Sequence, residues 1–344
     1  MGVERDPGDT TASVSPARRH SSTRVAQYVA ATSASAARAD GGVSFVGSGI
    51  VGCVALDRRA TVGEPTVRSV SDPNGTARSS VVLLHGFTQT GACFGPLADA
   101  LATSHTVIRP DLPGHGDATG LSGLDLWDTA SHLASAIGPT LETPSVWIGY
   151  SMGGRVALHV ALAHPELVSG VVLIGTTAGI EHADERSIRA RKDRELADHI
   201  CDVGVEAFLD EWLASPLFAG LPDWARFDHE RRRNTADGLA GSLRHAGTGS
   251  MEPLWSRLSE IEVPVSCLTG ARDEKFTEIG ERLAAGLGHA HLTVIADAGH
   301  AVHLERPDEV AGDVLPFCAH LAPRPTARST SPGPRWYAPP GFRS

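Results

Sequence analysis

Uninterrupted apolar runs of strand length alternate with stretches of helical spacing from about residue 80 onward. The run "SVVLLHGF" (80–87) ends in a glycine turn, and "FGPLADALATS" behind it repeats its apolar residues at helical intervals. The unit recurs as "HTVIRPDL" with "LDLWDTASHLASAIGPTL", then as "SVWIGYS" with "MGGRVALHVALAHP", and opens again at "VSGVVLIGT". A strand that is apolar throughout, rather than at every second position, is buried on both faces. This pattern predicts an α/β protein: a mostly parallel sheet with helices on both faces.

The alternation breaks between 178 and 258, where charged helical patterns such as "DERSIRARKDRELADHI" and "VEAFLDEWLASPLF" replace it. It resumes with "VPVSCLTG", a helix around 276–287, "HLTVIADAGH" and the helix "RPDEVAGDVLPFCAHL". An all-helical insertion between parallel strands predicts a lid over the strands' C-terminal ends, where open α/β sheets bind ligands. The expected organisation is a core over 63–177, a helical lid over 178–258 and the rest of the core over 259–322. Residues 1–62 lack sustained periodicity and read as disordered, or as an extension from a misplaced start. Residues 323–344 read as a Pro-rich disordered tail.

Composition narrows the partners. The chain has 344 residues, 41% of them apolar, so it can bury a sizeable core. A formal charge of −10 argues against a nucleic-acid or anionic-membrane partner, though it leaves room for a local basic pocket. The apolar stretch "GGVSFVGSGIVGCVAL" is glycine-rich and shorter than the roughly 20 residues that cross a bilayer, so no membrane partner is expected. Cys53, Cys93, Cys201, Cys267 and Cys318 are scattered without metal-ligand spacing, which predicts a reducing cytoplasm, no metal and no cofactor. Only Lys192 and Lys275 are lysines; arginine carries the remaining positive charge.

Gly149-Tyr150-Ser151-Met152-Gly153 follows a strand and opens a helix, the setting that a nucleophile elbow requires. By itself the pattern is weak, since a glycine-rich strand-to-helix turn has the same letters. Its partners should follow in the order acid then histidine, each after a later strand. Asp273 in "LTGARDEKF" and His300 in "VIADAGHAVHLERP" stand at those places. Alone, Asp273 would read as a helix N-cap and His300 as a loop histidine. Together with Ser151 they read as a triad, with His300 the proton acceptor and Asp273 its orienting partner. The backbone N–H groups of Met152 and Phe87 are the candidate donors to a developing oxyanion. His85 and His115 read as loop-shaping, and His303 as a neighbour by coincidence.

Arg155 lies one helical turn past Ser151, and helical side chains lean toward the N-terminus. It is placed either to reach the pocket mouth and grip a carboxylate or phosphate, or to form a salt bridge on the helix's side.

The set "LHGFTQTGACF", "DLPGHGDA", "GYSMGGRVALHVALAHPE", "SIRARKDR", "SLRHAGTGSMEPLW" and "GARDEKF" resembles the 2-succinyl-6-hydroxy-2,4-cyclohexadiene-1-carboxylate synthase family of menaquinone biosynthesis. The resemblance covers about 80–320 and implies an α/β-hydrolase fold with its helical lid inserted after the sixth strand. It implies a lyase that eliminates pyruvate from 2-succinyl-5-enolpyruvyl-6-hydroxy-3-cyclohexene-1-carboxylate, a polycarboxylate small molecule, with the triad serving as a general base. Carried over by motif, Arg155, Arg189 in "SIRARKDR" and Arg233 in "RRRNTADG" would bind the substrate, along with Tyr150 and Trp212. Two other readings stay open. One is a serine hydrolase of anionic small molecules, such as a carboxylesterase, lactonase or C–C bond hydrolase. The other is a non-catalytic binding protein on the same fold.

Overall fold

The computed structural model describes Val25, Tyr28, Ser69–Val70 and residues 79–322. The remainder of 1–62 and the tail 323–344 lie outside the described residues.

Seven strands form one sheet in the order β1-β3-β2-β4-β5-β6-β7. They are β1 (Ser69–Val70), β2 (Ser80–Leu84), β3 (Thr106–Ile108), β4 (Ser145–Tyr150), β5 (Val168–Ile174), β6 (Val265–Gly270) and β7 (Ala290–Ile295). Every pairing is parallel except that of β1 with β3. The pattern had shown no strand before residue 80; β1 contributes two residues, too few to carry a period.

Alternate residues of the apolar strands feed two separate cores. Val81, Leu83, Val146, Ile148, Val172 and Ile174 point to one face of the sheet. There they meet α1 (Gly95–Ala102) and α9 (Pro307–Leu321). Val82, Leu84, Trp147, Val171 and Leu173 point to the other, against α2 (Leu126–Ile137) and α3 (Met152–Ala163). The helices begin where their sequences supply caps: the Asp125 carboxylate accepts the Asp128 N–H at 2.8 Å at the start of α2.

Between β5 and β6 runs the helical insertion. It comprises α4 (Ala183–Leu213), broken at Gly204 where φ is 79°, the short α5 (Asp228–Arg231) and α6 (Ala236–Ala246). The insertion was expected after a sixth strand; among the described residues it follows the fifth, because only the two-residue β1 is described ahead of β2. After β6 come α7 (Glu274–Gly286), β7, the short α8 (Val302–Glu305) and α9. Among the described residues no helix is long and apolar enough to cross a membrane.

Candidate active site

Ser151 stands at the C-terminal end of β4, the central strand, and opens α3. Its backbone is held at φ 51°, ψ −106°, a left-handed conformation that costs a side-chain-bearing residue of order 1–3 kcal/mol. The neighbours hold it there: Ser151 N–H donates to the Ile174 carbonyl at 2.8 Å, and the Thr176 hydroxyl donates to the Ser151 carbonyl at 2.7 Å. Two glycines make the turn possible. A Cβ on Gly149 would lie 2.3 Å from the Gly153 carbonyl oxygen, and one on Gly153 would lie 1.9 Å from that of Leu84. The strain aims Oγ above the sheet's carboxyl edge.

His300, on the loop after β7, reaches Ser151 Oγ with Nε2 at 3.3 Å. Its Nδ1 lies 2.7 Å from Asp273 Oδ2. With the proton on Nδ1 the ring donates to Asp273 and accepts from the serine, so one tautomer serves both bonds. Asp273 does two jobs at once: while Oδ2 takes the imidazole, Oδ1 accepts the Phe276 N–H at 3.4 Å and caps α7. Phe276 in turn packs its ring 4.5 Å from that of His300.

The second wall is the loop after β2. His85 Nε2 accepts the Leu112 N–H at 2.9 Å, and His115 Nε2 accepts that of Thr88 at 3.3 Å. Burial pushes these rings down to about 4 and about 3, so both stay neutral and rigid. They brace the loop that carries Phe87. Met152, the first residue of α3, offers a helix N-terminal N–H that has no intrahelical acceptor. His303 is buried 4.4 Å from the Tyr150 ring, and among the described residues neither of its ring nitrogens has a partner.

Above the triad lies a cavity of about 550 Å³, lined by the sheet edge and the insertion. Phe87, Tyr150, Ser151, Met152, Trp212 and His300 all face it. Arg155 does too, 7% exposed, and donates to the Ala246 carbonyl at 2.6 Å. Among the described residues no carboxylate lies at ion-pair distance from it. Burial, with Arg189 nearby, pulls its pKa down to about 10, which leaves it charged at neutral pH. Arg189 also lines the cavity, its Nε 2.7 Å from Asp193 Oδ1. Burial alone would lower its pKa, but Tyr28 and Asp193 offset that and hold it above the usual arginine range.

Arg233 does not line the cavity. Its guanidinium is spent on Glu230 at 2.9 Å and Asp117 at 2.5 Å, because the chain leaves α5 at Arg231. The arginine that does enter is Arg231, two residues earlier and 1% exposed. It donates from Nε to the Arg226 carbonyl at 2.7 Å and from Nη1 to the Thr88 hydroxyl. Among the described residues its Nη2 has no partner, and neither has Trp212 Nε1 or Gln89 Nε2. Three buried donors without acceptors thus belong to cavity-lining residues.

Residues 81–314 match the alpha/beta hydrolase family. A Bacillus subtilis (strain 168) protein, which carries 2-succinyl-6-hydroxy-2,4-cyclohexadiene-1-carboxylate synthase as a provisional name, is 39% identical over 72% of this chain and 93% of its own. The Escherichia coli (strain SE11) protein of that name is 32% identical over 66% of this chain and 88% of its own. The chain belongs to this synthase family. Among solved structures, MenH from S. aureus superposes with a TM-score of 0.69 at 29% identity, covering 74% of this chain and 98% of that one.

Within that synthase scaffold, several cavity residues escaped sequence reasoning, and four of them bear on the site's chemistry. Arg231 was hidden in a run of three arginines, and Gln89 in the "GFTQTG" loop was passed over. Lys275 lies two residues beyond Asp273; burial pulls it down to about 8. Both lysines of the chain line the cavity, a signal that their scarcity could have raised. The fourth, Tyr28, falls within the stretch expected to be disordered, yet Tyr28 and Val25 are buried against the core.

Proposed function

We propose that the protein eliminates pyruvate from 2-succinyl-5-enolpyruvyl-6-hydroxy-3-cyclohexene-1-carboxylate to give 2-succinyl-6-hydroxy-2,4-cyclohexadiene-1-carboxylate. The observation that carries the reading is the cation- and donor-rich wall around Ser151. Arg155, Arg189 and Arg231 line one cavity together with Gln89 and Trp212, each of which has a buried donor without a partner among the described residues. An uncharged ester would leave those groups unsatisfied, at about 1–3 kcal/mol each; a polycarboxylate satisfies them. Relatives sharing this scaffold bear the synthase name.

In the reaction Ser151 Oγ takes a ring proton as it passes its own to His300 Nε2. The C–H electron pair at ring C2 becomes the C2–C3 double bond, the existing C3–C4 π pair shifts to C4–C5, the ring C5–O bond breaks, and pyruvate leaves as its enolate, to be protonated afterwards. Asp273 stabilises the imidazolium. The N–H groups of Met152 and Phe87 stabilise charge building on a substrate oxygen, and the arginines hold the carboxylates. No water is consumed.

The test is to supply the enolpyruvyl intermediate and follow pyruvate together with diene absorbance. Equal rates of the two are expected. No pyruvate, with rapid cleavage of simple aryl esters, would replace this reading with an esterase.

A further inference from the structure

Tyr28 lies outside the 81–314 span that matches the family, yet it forms part of the cavity wall. Val25 and Tyr28 are helical positions three residues apart, hence on one face, and both belong to the core cluster that holds Trp212. The Tyr28 ring lies 5.9 Å from that of Trp212. The guanidinium carbon of Arg189 sits 4.9 Å from its centroid.

A guanidinium offers two bidentate edges: a side fork of Nε–H with one Nη2–H, and an end fork of Nη1–H with the other Nη2–H. In Arg189 the side fork is occupied. Nε donates to Asp193 Oδ1 at 2.7 Å and Nη2 to the Tyr28 hydroxyl at 2.8 Å. Tyr28 closes the triangle by donating its own O–H to Asp193 Oδ1 at 2.9 Å. Asp193 is 1% exposed and fixed from behind, since Oδ2 accepts the Gly249 N–H at 2.9 Å. The plane of the guanidinium is therefore set, and no described residue takes its end fork, which remains for a ligand.

We propose that Tyr28 is a positioning residue for substrate: with Asp193 it locks the side fork of Arg189, so that the end fork presents to one substrate carboxylate. The proposal rests on the polycarboxylate reading above. A substrate carboxylate does not take Tyr28's own place. An oxygen there would sit 2.9 Å from the Asp193 carboxylate, and two anions that close on one fork repel. A neutral phenol, kept protonated by its burial, is the group that fits between the arginine and the buried aspartate.

Tyr28→Phe in the full chain keeps the ring and removes the hydroxyl. We expect KM for pyruvate release to rise about tenfold with kcat within about twofold, the split expected when uniform binding is lost. The melting temperature should fall by no more than a few degrees, the cost of one buried hydroxyl's hydrogen bonds. In parallel, succinate serves as a dicarboxylate probe by calorimetry, and its affinity should fall in the variant. An unchanged or lowered KM overturns the proposal, as does a lowered melting temperature with unchanged KM, which would make Tyr28 structural only. If the wild-type chain releases no pyruvate, the proposed function fails by itself. The succinate titration then decides: equal affinity in wild type and Tyr28→Phe overturns the role of Tyr28.

Discussion

The guanidinium of Arg155 donates to the carbonyl of Ala246 at 2.6 Å, tying the helix behind Ser151 to the last residue of α6 in the insertion. One arginine thus joins the turn at Ser151 to the covering helices, and no described residue takes its remaining N–H groups. Arg155→Ala should lower kcat/KM by tenfold or more, at least about 1.4 kcal/mol. Arg155→Lys should recover part of it, since an ammonium restores the charge without the fork. Steady-state kinetics on both variants checks this; a loss below tenfold in Arg155→Ala removes the carboxylate-binding role.

Arg231 and Arg233 should separate cleanly. Arg231 enters the cavity with an unpartnered Nη2, whereas Arg233 is spent on Glu230 and Asp117. Arg231→Lys should raise KM by about tenfold or more, the cost of losing a charged hydrogen bond. Arg233→Ala should leave kcat/KM within about twofold, since its guanidinium is bound to Glu230 and Asp117 and does not line the cavity. The opposite ranking in the same assay would restore Arg233 to the site.

Acid should destabilise the fold through its buried histidines. Burial holds His85 and His159 at about 4, and His115 and His303 at about 3. Below about pH 6.5 the unfolded chain binds protons that the folded one refuses, so stability is full above that pH and falls toward pH 4. The slope is about 1.4 kcal/mol per pH unit for each such histidine. Urea unfolding between pH 7.5 and 5 measures it. His303→Phe, which keeps an aromatic ring beside Tyr150 and Phe94, should reduce the slope by one histidine's share; an unchanged slope contradicts this.

Lys275 should give substrate binding an alkaline limb. Burial pulls its pKa down to about 8, so its charge is lost as pH rises through that value. KM for the anionic substrate should climb above pH 8 in the wild type. In Lys275→Met it should be higher at pH 7 and flat across the same range. A climb that persists in Lys275→Met assigns the titration elsewhere.

What could be read in advance follows from how locally each feature is encoded. The buried strands β2, β4, β5 and β6 announce themselves because both faces are covered and most of their residues are apolar. Ser151 and Asp273 are legible because each follows the end of such a strand, and His300 because it follows the end of the next strand, β7. Arg231 was not: three adjacent arginines differ only in direction, and a four-residue helix supplies no period to orient them. Tyr28 was further out of reach. Its hydroxyl meets Arg189 and Asp193 across 161 and 165 residues, from a stretch whose composition carries no pattern. Asp273 combined two readings that had seemed exclusive, since one carboxylate oxygen caps α7 and the other holds His300.

The central claim is that Ser151 relays a proton and is never acylated. The direct measurement is the intact mass of the wild-type chain, quenched during turnover of the enolpyruvyl intermediate while pyruvate and diene are rising. The account predicts an unmodified chain at every time point. A covalent adduct that accumulates during turnover and disappears in Ser151→Ala would contradict it.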